Sequence, residues 1–366
     1  MIRIADGLPL PGKWRAIESL KAALALRTHL TSTSIKIPGL AVLLFALVAA
    51  IAVTISHRPD AVFDAQFWAE DGKFWYADAH LIGPVHAALL PRDGYFQTIS
   101  RLTAALSLLF PLGAAPYVFN IVAMFVQAAP AVLLVSPRMA PVIPSTTARW
   151  LLAFFYLAIP NSGEIHVNIT NAHSHLALLA AMIILSARGE SMRARAFDVG
   201  VLLLSGVSGL YCILLAPIAA LTWNSRRTRW GLTMVLVVAA MATVQIVSLA
   251  VAPDTRVGGP LGPSIEGLAR VVGGQVVLGT MIGTVGYRWI IEEGYGWLPL
   301  LASAVGAAVF VYGAICATRE LRLFMLFAAL VLAGALADPQ VTATTPSRWN
   351  LLAIPDVGTR YYFLPS

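Results

Sequence analysis

Residues 37–57 read IPGLAVLLFALVAAIAVTISH, a run without Asp, Glu, Lys or Arg. As a helix it would cover ~30 Å at ~1.5 Å per residue, the thickness of a bilayer's hydrocarbon core. A cleavable signal peptide has a short basic start and an apolar core of only about 7–15 residues. Here 36 residues precede a longer run, so 37–56 reads as an uncleaved first span. Further charge-free stretches follow at 102–137, 150–163, 165–187, 199–225, 230–253, 271–287, 294–318 and 323–337. The reading is an all-α, polytopic transmembrane helical bundle. It has about nine spans, outer-face amphipathic helices and a broken or re-entrant helix pair.

Composition agrees. Of 366 residues, 58% are hydrophobic and 12% charged, where a soluble domain has about a quarter charged. That excludes a water-soluble globular enzyme, a disordered chain and a coiled coil. The net charge of +7 does not indicate nucleic acid, because the basic residues are spread over short loops that set membrane orientation. Cys212 and Cys316 both lie in apolar segments, which suits neither a disulfide framework nor a zinc site.

Charge also orders the chain. Segment 1–36 carries Arg3, Lys13, Arg15, Lys21, Arg27 and Lys36. It is a basic cytoplasmic N-terminal segment, either an amphipathic surface helix around Trp14 to Leu30 or a tail that fixes topology. Residues 37–366 form a single transmembrane domain, with a periplasmic first loop at 57–96. The run 102–137 is interrupted by Pro111, Gly113 and Pro116. It is read as an outer-face helix at 97–111 and a span at 115–136. The inside segments are then 1–36, 137–149, 188–197, 224–230 and 318–322. They hold 16 of the 25 Lys and Arg and, with Asp198 at the edge of 188–197 counted among their acids, net +11, against −4 outside. This places the chain in a bacterial inner membrane with its polar motifs on the outer face. Basic loops flank 199–223 on both sides, and its centre reads Ser205-Gly206-Val207-Ser208-Gly209. Two half-helices dipping in from the cytoplasm satisfy both facts, and so does a packing kink of small residues. The Gly-rich 271–287 reads as a second outer-face or re-entrant helix. The closing run Thr359 to Ser366 resembles the start of a further span.

The outer segments are dense in polar groups. The first loop holds Asp64-Ala65-Gln66-Phe67-Trp68-Ala69-Glu70-Asp71-Gly72, Asp78, His80, His86 and Arg92-Asp93-Gly94-Tyr95. The second runs from Asn161 through Glu164, His166, Asn168 and Thr170 to His173 and His175. Tyr287-Arg288-Trp289 with Glu292 and Glu293 form a third cluster, and Arg348 to Tyr362 a fourth. Ionisable groups near membrane depth are costly and are read first as functional. Glu70 and Asp71 lie among aromatic residues, where a carboxyl pKa rises towards values useful for proton transfer. Arg101, Arg288 or Arg360 could hold a phosphate in a bidentate way. His166, His173 and His175 are candidate acid/base groups. His173 and His175 stand two apart and do not share a helix face, which speaks against a simple metal pair. Plainer readings stand beside these: Trp68, Trp75 and Tyr76 as an interfacial belt, Gly94 and Gly163 as turn residues, and Asn168-Ile169-Thr170 as a chance sequon.

The run Phe67-Trp68-Ala69-Glu70-Asp71-Gly72, then Gly94-Tyr95, Arg101, Asn161 to His166, Asn168 and the late Arg and Tyr motif resemble the GT-C superfamily of membrane glycosyltransferases, in an uncharacterised bacterial branch. The likeness extends loosely over about 37–362. It implies inverting transfer of a sugar from a polyprenyl-phosphate donor to an outer-face glycan or lipid acceptor, within membrane lipids and without nucleic acid. The general base would be Asp71 or Glu70. Substrate contacts would come from Tyr95, Arg101, Glu164, His166, Asn168, His173, Arg288, Arg360 and Tyr361. The resemblance requires no fixed cofactor and leaves a divalent cation open. The alternative from another class is a transporter or flippase of a lipid-linked glycan, which should carry an internal repeat. The acidic motif at 70 has no partner in the second half.

Overall fold

The computed structural model describes residues 39–160, 163–252, 258–341 and 347–366. By internal contacts the chain divides after Val42, and the body described below is Leu43–Ser366. The basic segment 1–36, and Asn161 and Ser162 of the second polar motif, fall outside the described residues.

The regular elements of the described residues are all helices, without a strand. Six helices are long and apolar enough to cross a membrane. They are α1 (Gly39–His57), α3 (Ala115–Val135, with a 3-10 turn at Leu112–Ala114), α8 (Arg229–Val251), α9 (Ile265–Glu292), α10 (Leu298–Cys316) and α11 (Arg319–Ala337). Along α10 the side chains of Leu300, Leu301, Val305, Val309, Phe310 and Ile315 are all exposed. A contiguous apolar face of this kind marks a surface that meets lipid or another apolar surface rather than water. The chain is a multi-pass, all-helical membrane protein.

The count of about nine spans includes apolar stretches that fold as shorter helices. These are α4 (Thr146–Leu157), α5 (Ala172–Leu185), α6 (Met192–Gly206) and α7 (Tyr211–Arg226), of 12, 14, 15 and 16 residues. They rise ~18–24 Å. At one end of α5, Arg226 donates to the carbonyls of Leu185 and Ser186 and pairs with Glu320 at 3.2 Å. There Arg138 grips the fully buried Asp198 in a bidentate pair at 2.8 and 2.9 Å and donates to Ala187 O. Arg319 reaches Leu221 O at 3.0 Å. Of the basic segments expected to share one side, the four described ones do meet at one end of the bundle. A buried carboxylate left without its guanidinium would destabilise this end strongly.

The break in 199–223 falls at Val207–Leu210, between α6 and α7. Helix α6 starts at the basic end and α7 returns to it, so the pair is a hairpin whose tip lies at the opposite, polar end. Polar side chains hold the tip. Ser208 Oγ accepts from Ile99 N, Val207 O accepts from Thr98 N, and Gln245 of α8 donates to Gly206 O and Gly209 O. The small residues have a packing reason as well: a Cβ at Gly206 would run into Met241.

The outer-face helix expected at 97–111 is α2 (Thr98–Ser107), closed by a turn before Pro111. Segment 271–287 belongs to α9, which is sharply bent. Gly283 sits at φ 72°, ψ 175°, backbone that only glycine adopts readily. In a straight helix Gly274 and Tyr287 would stand ~20 Å apart. Here the Tyr287 phenol packs on Gly274 and leaves no room for a Cβ. Helix α9 thus folds back on itself, as a re-entrant element does. Tyr287 and Gln275 both anchor to the 352–354 backbone, Tyr287 donating to Ala353 O at 2.9 Å and Gln275 to Leu352 O at 3.0 Å. The run after Thr359 does not start a span. It folds back into the body, with Thr359, Tyr362, Phe363 and Leu364 buried because its aromatic side chains fill space between α4, α5 and α9.

Candidate functional site

Two cavities have walls at the polar end. The first, of about 570 Å³, is polar. Its wall carries Glu70, Arg92, Tyr95, Glu164, Thr170, His173, Tyr211, Arg348, Arg360 and Tyr361. The acidic loop and the Asn/His-rich stretch, about a hundred residues apart in sequence, both contribute to it.

The carboxylate pair is divided by the structure. Asp71 opens a π-helical turn, Asp71–Tyr76, and is fully buried behind the wall. Thr170 Oγ1 donates to its Oδ1 at 2.8 Å and Trp68 N to its Oδ2 at 3.4 Å. Burial pushes the Asp71 carboxyl up to about 7, against the pull of those two donors. Glu70 instead lines the cavity, and among the described residues it makes no hydrogen bond or ion pair. The residue before it, Ala69, has φ 40°. Left-handed backbone costs a non-glycine residue about 1–3 kcal/mol. That turn aims residue 70 into the hollow while residue 71 points back into protein. Trp75, expected in an interfacial belt, is only 1% exposed and gives its indole N–H to Thr170 Oγ1 at 3.0 Å.

The facing wall is the 163–171 loop. Asn168 and Asn171 both donate to Glu164 O, at 2.6 and 2.7 Å, and Asn168 Oδ1 accepts from Asn171 N. Asn168 is therefore a backbone brace with 1% exposure. Its sequon is sequestered and cannot be a glycan acceptor in this fold. His166 lies behind the loop, hydrogen-bonded through Nδ1 to Gln127 and stacked on His57. Burial, with His57 beside it, lowers its pKa to about 4, so the ring is neutral and away from the hollow. Val167 takes φ 49°, a strained turn held by Gln127 Oε1 on its N–H at 3.2 Å. His173 faces the cavity. Its Nδ1 bonds Thr170 O at 2.9 Å and its ring packs on Tyr211 at 5.7 Å. His175, two residues on, faces the other way, against Tyr156 and Phe363, as helical spacing requires.

Arginines complete the hollow. Arg360 pairs with Glu164 at 3.4 Å and donates to Gln340 O at 3.0 Å. Burial works against its charge, and Tyr361 and Glu164 outweigh that and hold it protonated. Arg348 pairs with Asp338 at 2.9 Å. Arg92 lies over the Phe74 ring at 3.2 Å, presented by the Asp93-Gly94 turn in which Arg92 and Tyr95 exchange both backbone hydrogen bonds. Two expected phosphate binders are elsewhere. Arg101 is buried against Asp78 at 3.1 Å, and Arg288 pairs with Asp356 at 3.5 Å, so neither lines the hollow. Among the described residues no group of three or more His, Cys, Asp or Glu could hold a metal ion.

The second cavity, about 720 Å³, is apolar. It runs between α4, α5, α9 and α11, from Pro160, Phe363 and Leu364 to Leu185, Leu321 and Ile143. The short run from Arg360 to Leu364 borders both, since Arg360 and Tyr361 line the polar hollow and Phe363 and Leu364 the apolar groove.

Sequence reading missed Thr170, Asn171 and Tyr211. Thr170 and Asn171 stood inside a quoted motif, and Tyr211 directly follows the small-residue break. Comparison with family models, with curated proteins and with solved structures finds no match to this chain.

Proposed function

We propose that this chain is a membrane glycosyltransferase of the GT-C kind. On this reading it moves a sugar from a polyprenyl-phosphate donor to an acceptor hydroxyl of a glycan or lipid. The observation that carries the reading is that one short run, 360–364, borders both an Arg- and Glu-lined hollow and an apolar groove. A ligand filling both has an anionic head and a long apolar tail, which describes a lipid phosphate.

The chemistry follows from the side chains. The acceptor oxygen attacks the anomeric carbon, and the bond from that carbon to the phosphate oxygen breaks. The acceptor proton passes to Glu70, the unpaired carboxylate on the wall. Arg360, with Arg92 and Arg348 nearby, stabilises the charge that develops on the departing phosphate. Opposite-face attack inverts the anomeric centre. Asp71 is a positioning residue: it fixes the 68–71 turn to Thr170 and so holds Glu70 against the 163–171 loop. Helix α5 separates this hollow from the basic end by ~21 Å, less than a ~30 Å hydrocarbon core. The hollow thus sits below the membrane surface, within reach of a lipid-borne donor. The charge at the basic end supports a hollow that faces the periplasm from a bacterial inner membrane.

The test is purified protein in detergent with radiolabelled polyprenyl-phosphate sugars and a panel of acceptors. Label should move to an acceptor in the native protein and not in Glu70→Gln. A flippase cannot transfer sugar in detergent, so label that stays on the lipid across donors and acceptors would overturn the reading.

A further inference from the structure

A third cavity, about 460 Å³, lies at the opposite, basic end between the α5–α6 loop and the α7–α8 turn. It shares no residue with the hollow or the groove. Its floor is apolar, with Ile184, Ala219 and Met234, and its rim carries Arg188, Arg226, Arg229, Trp223 and Trp230.

The rim charges are not equal. Arg226 is spent on two backbone carbonyls and Glu320. Arg188 and Arg229 are exposed, and among the described residues neither makes a hydrogen bond or ion pair. Arg188 lies over the Trp230 ring, 5.7 Å from its centroid. A second such pair, Arg227 over Trp223 at 5.1 Å, stands beside it. The nearby acids do not neutralise the two free guanidinium groups. Asp198 is paired with Arg138 and Glu320 with Arg226, which leaves, among the described residues of this end, only the exposed Glu190. The Trp230 indole N–H is shielded and has no hydrogen-bond partner among the described residues. Such a donor costs free energy until a ligand or water satisfies it.

We propose that this cleft binds the phosphate head of an acidic phospholipid from the leaflet at the basic end. Two guanidinium groups match one phosphodiester. The indole rings sit where Trp prefers to lie, at the membrane–water boundary. Exposed Leu221, Leu232 and Leu236 continue the apolar floor outward and would lie along the acyl chains. An apolar floor under a cationic rim favours a lipid head over free phosphate. Basic pockets between membrane helices recognise anionic heads by this same combination. The inference does not depend on the transferase reading.

The test uses the full chain in mild detergent, titrated with phosphatidylglycerol or phosphatidylcholine and read by native mass spectrometry. Phosphatidylglycerol should bind, phosphatidylcholine should bind far less, and R188Q/R229Q should weaken phosphatidylglycerol about tenfold or more. Trp230→Phe, which keeps the ring and loses the N–H, should weaken it by a smaller factor. Arg193→Gln removes one exposed charge from the same end and should bind as the native chain does. An unchanged melting temperature without lipid separates lost binding from lost folding, because both arginines of the double variant are exposed. Equal binding of the two lipids, or an unaffected R188Q/R229Q, would overturn the proposal. So would displacement of phosphatidylglycerol by inorganic phosphate at equal concentration, which would reassign the cleft to a free anion.

Discussion

Thr170 and Asp71, ninety-nine positions apart in sequence, are joined by a hydroxyl-to-carboxylate hydrogen bond of 2.8 Å. The same threonine oxygen accepts the Trp75 indole N–H. This one side chain ties the acidic loop to the Asn/His-rich loop, and Asp71 is consumed in making the tie. Its neighbour Glu70 is left with its carboxylate on the cavity wall.

The two carboxylates should therefore part in mutagenesis. Glu70→Gln is expected to lower sugar transfer by 10²-fold or more, as loss of a proton acceptor in the transition state does. Asp71→Asn keeps an acceptor oxygen for Thr170 and should retain most of kcat. Initial rates in detergent, with expression and monodispersity matched, decide between them. A dead Asp71→Asn beside an active Glu70→Gln would reverse the assignment.

Asp71 should also leave a mark on stability. Its folded pKa is raised, so the folded state binds a proton more readily than the unfolded one. The stabilisation is complete below the unfolded value of about 4 and is lost as pH rises through about 7. Native protein should melt progressively lower between these limits. Asp71→Asn should flatten that part of the profile and melt higher than native at pH 8. The gap corresponds to an order of 4 kcal/mol. Differential scanning fluorimetry across pH reads both curves.

Thr170→Val keeps the shape and removes the hydroxyl. Asp71 and Trp75 then each lose a partner while buried, a cost of about 1–3 kcal/mol per unsatisfied group. Thr170→Ser should restore stability. The melting temperatures of native, Val and Ser forms should order with Val well below the other two.

Arg360→Lys keeps the charge but loses the fork that meets Glu164 and Gln340 O. A bidentate phosphate contact does not survive that exchange. The expected result is a rise of about tenfold or more in KM for the lipid donor, with the acceptor KM little changed. Steady-state kinetics with each substrate varied in turn measures this.

Gly274→Ala tests the bend of α9. Its Cβ would collide with the Tyr287 phenol, and overpacking of this kind costs about 1–3 kcal/mol. Tyr287→Leu in the same chain should recover part of the loss. An additive pair of melting shifts would mean that the two residues do not touch.

Much of this was open to reading in the chain itself. The apolar runs, the basic end and the break at 205–209 follow from local composition, because a bilayer dictates length and charge placement segment by segment. The polar residues were legible as a group for the same reason, since each is costly at that depth. What each one does was not. Asn168, His166 and Arg101 have the residue types of a site, yet they brace a loop, stack behind it and pair with Asp78. Charge and type are properties of one residue, whereas burial and partners come from segments a hundred positions away.

The amino-acid order alone determined that this is a helical membrane protein with a basic face and a polar face, because transfer into lipid is decided stretch by stretch. Only the tertiary structure decided that Glu70 meets open space and Asp71 does not, and that α9 doubles back at Gly283. It also decided that the segment after Thr359 packs inward and borders both a polar hollow and an apolar groove. Those outcomes turn on left-handed backbone at Ala69 and Gly283 and on packing between distant helices, neither of which has a local signature.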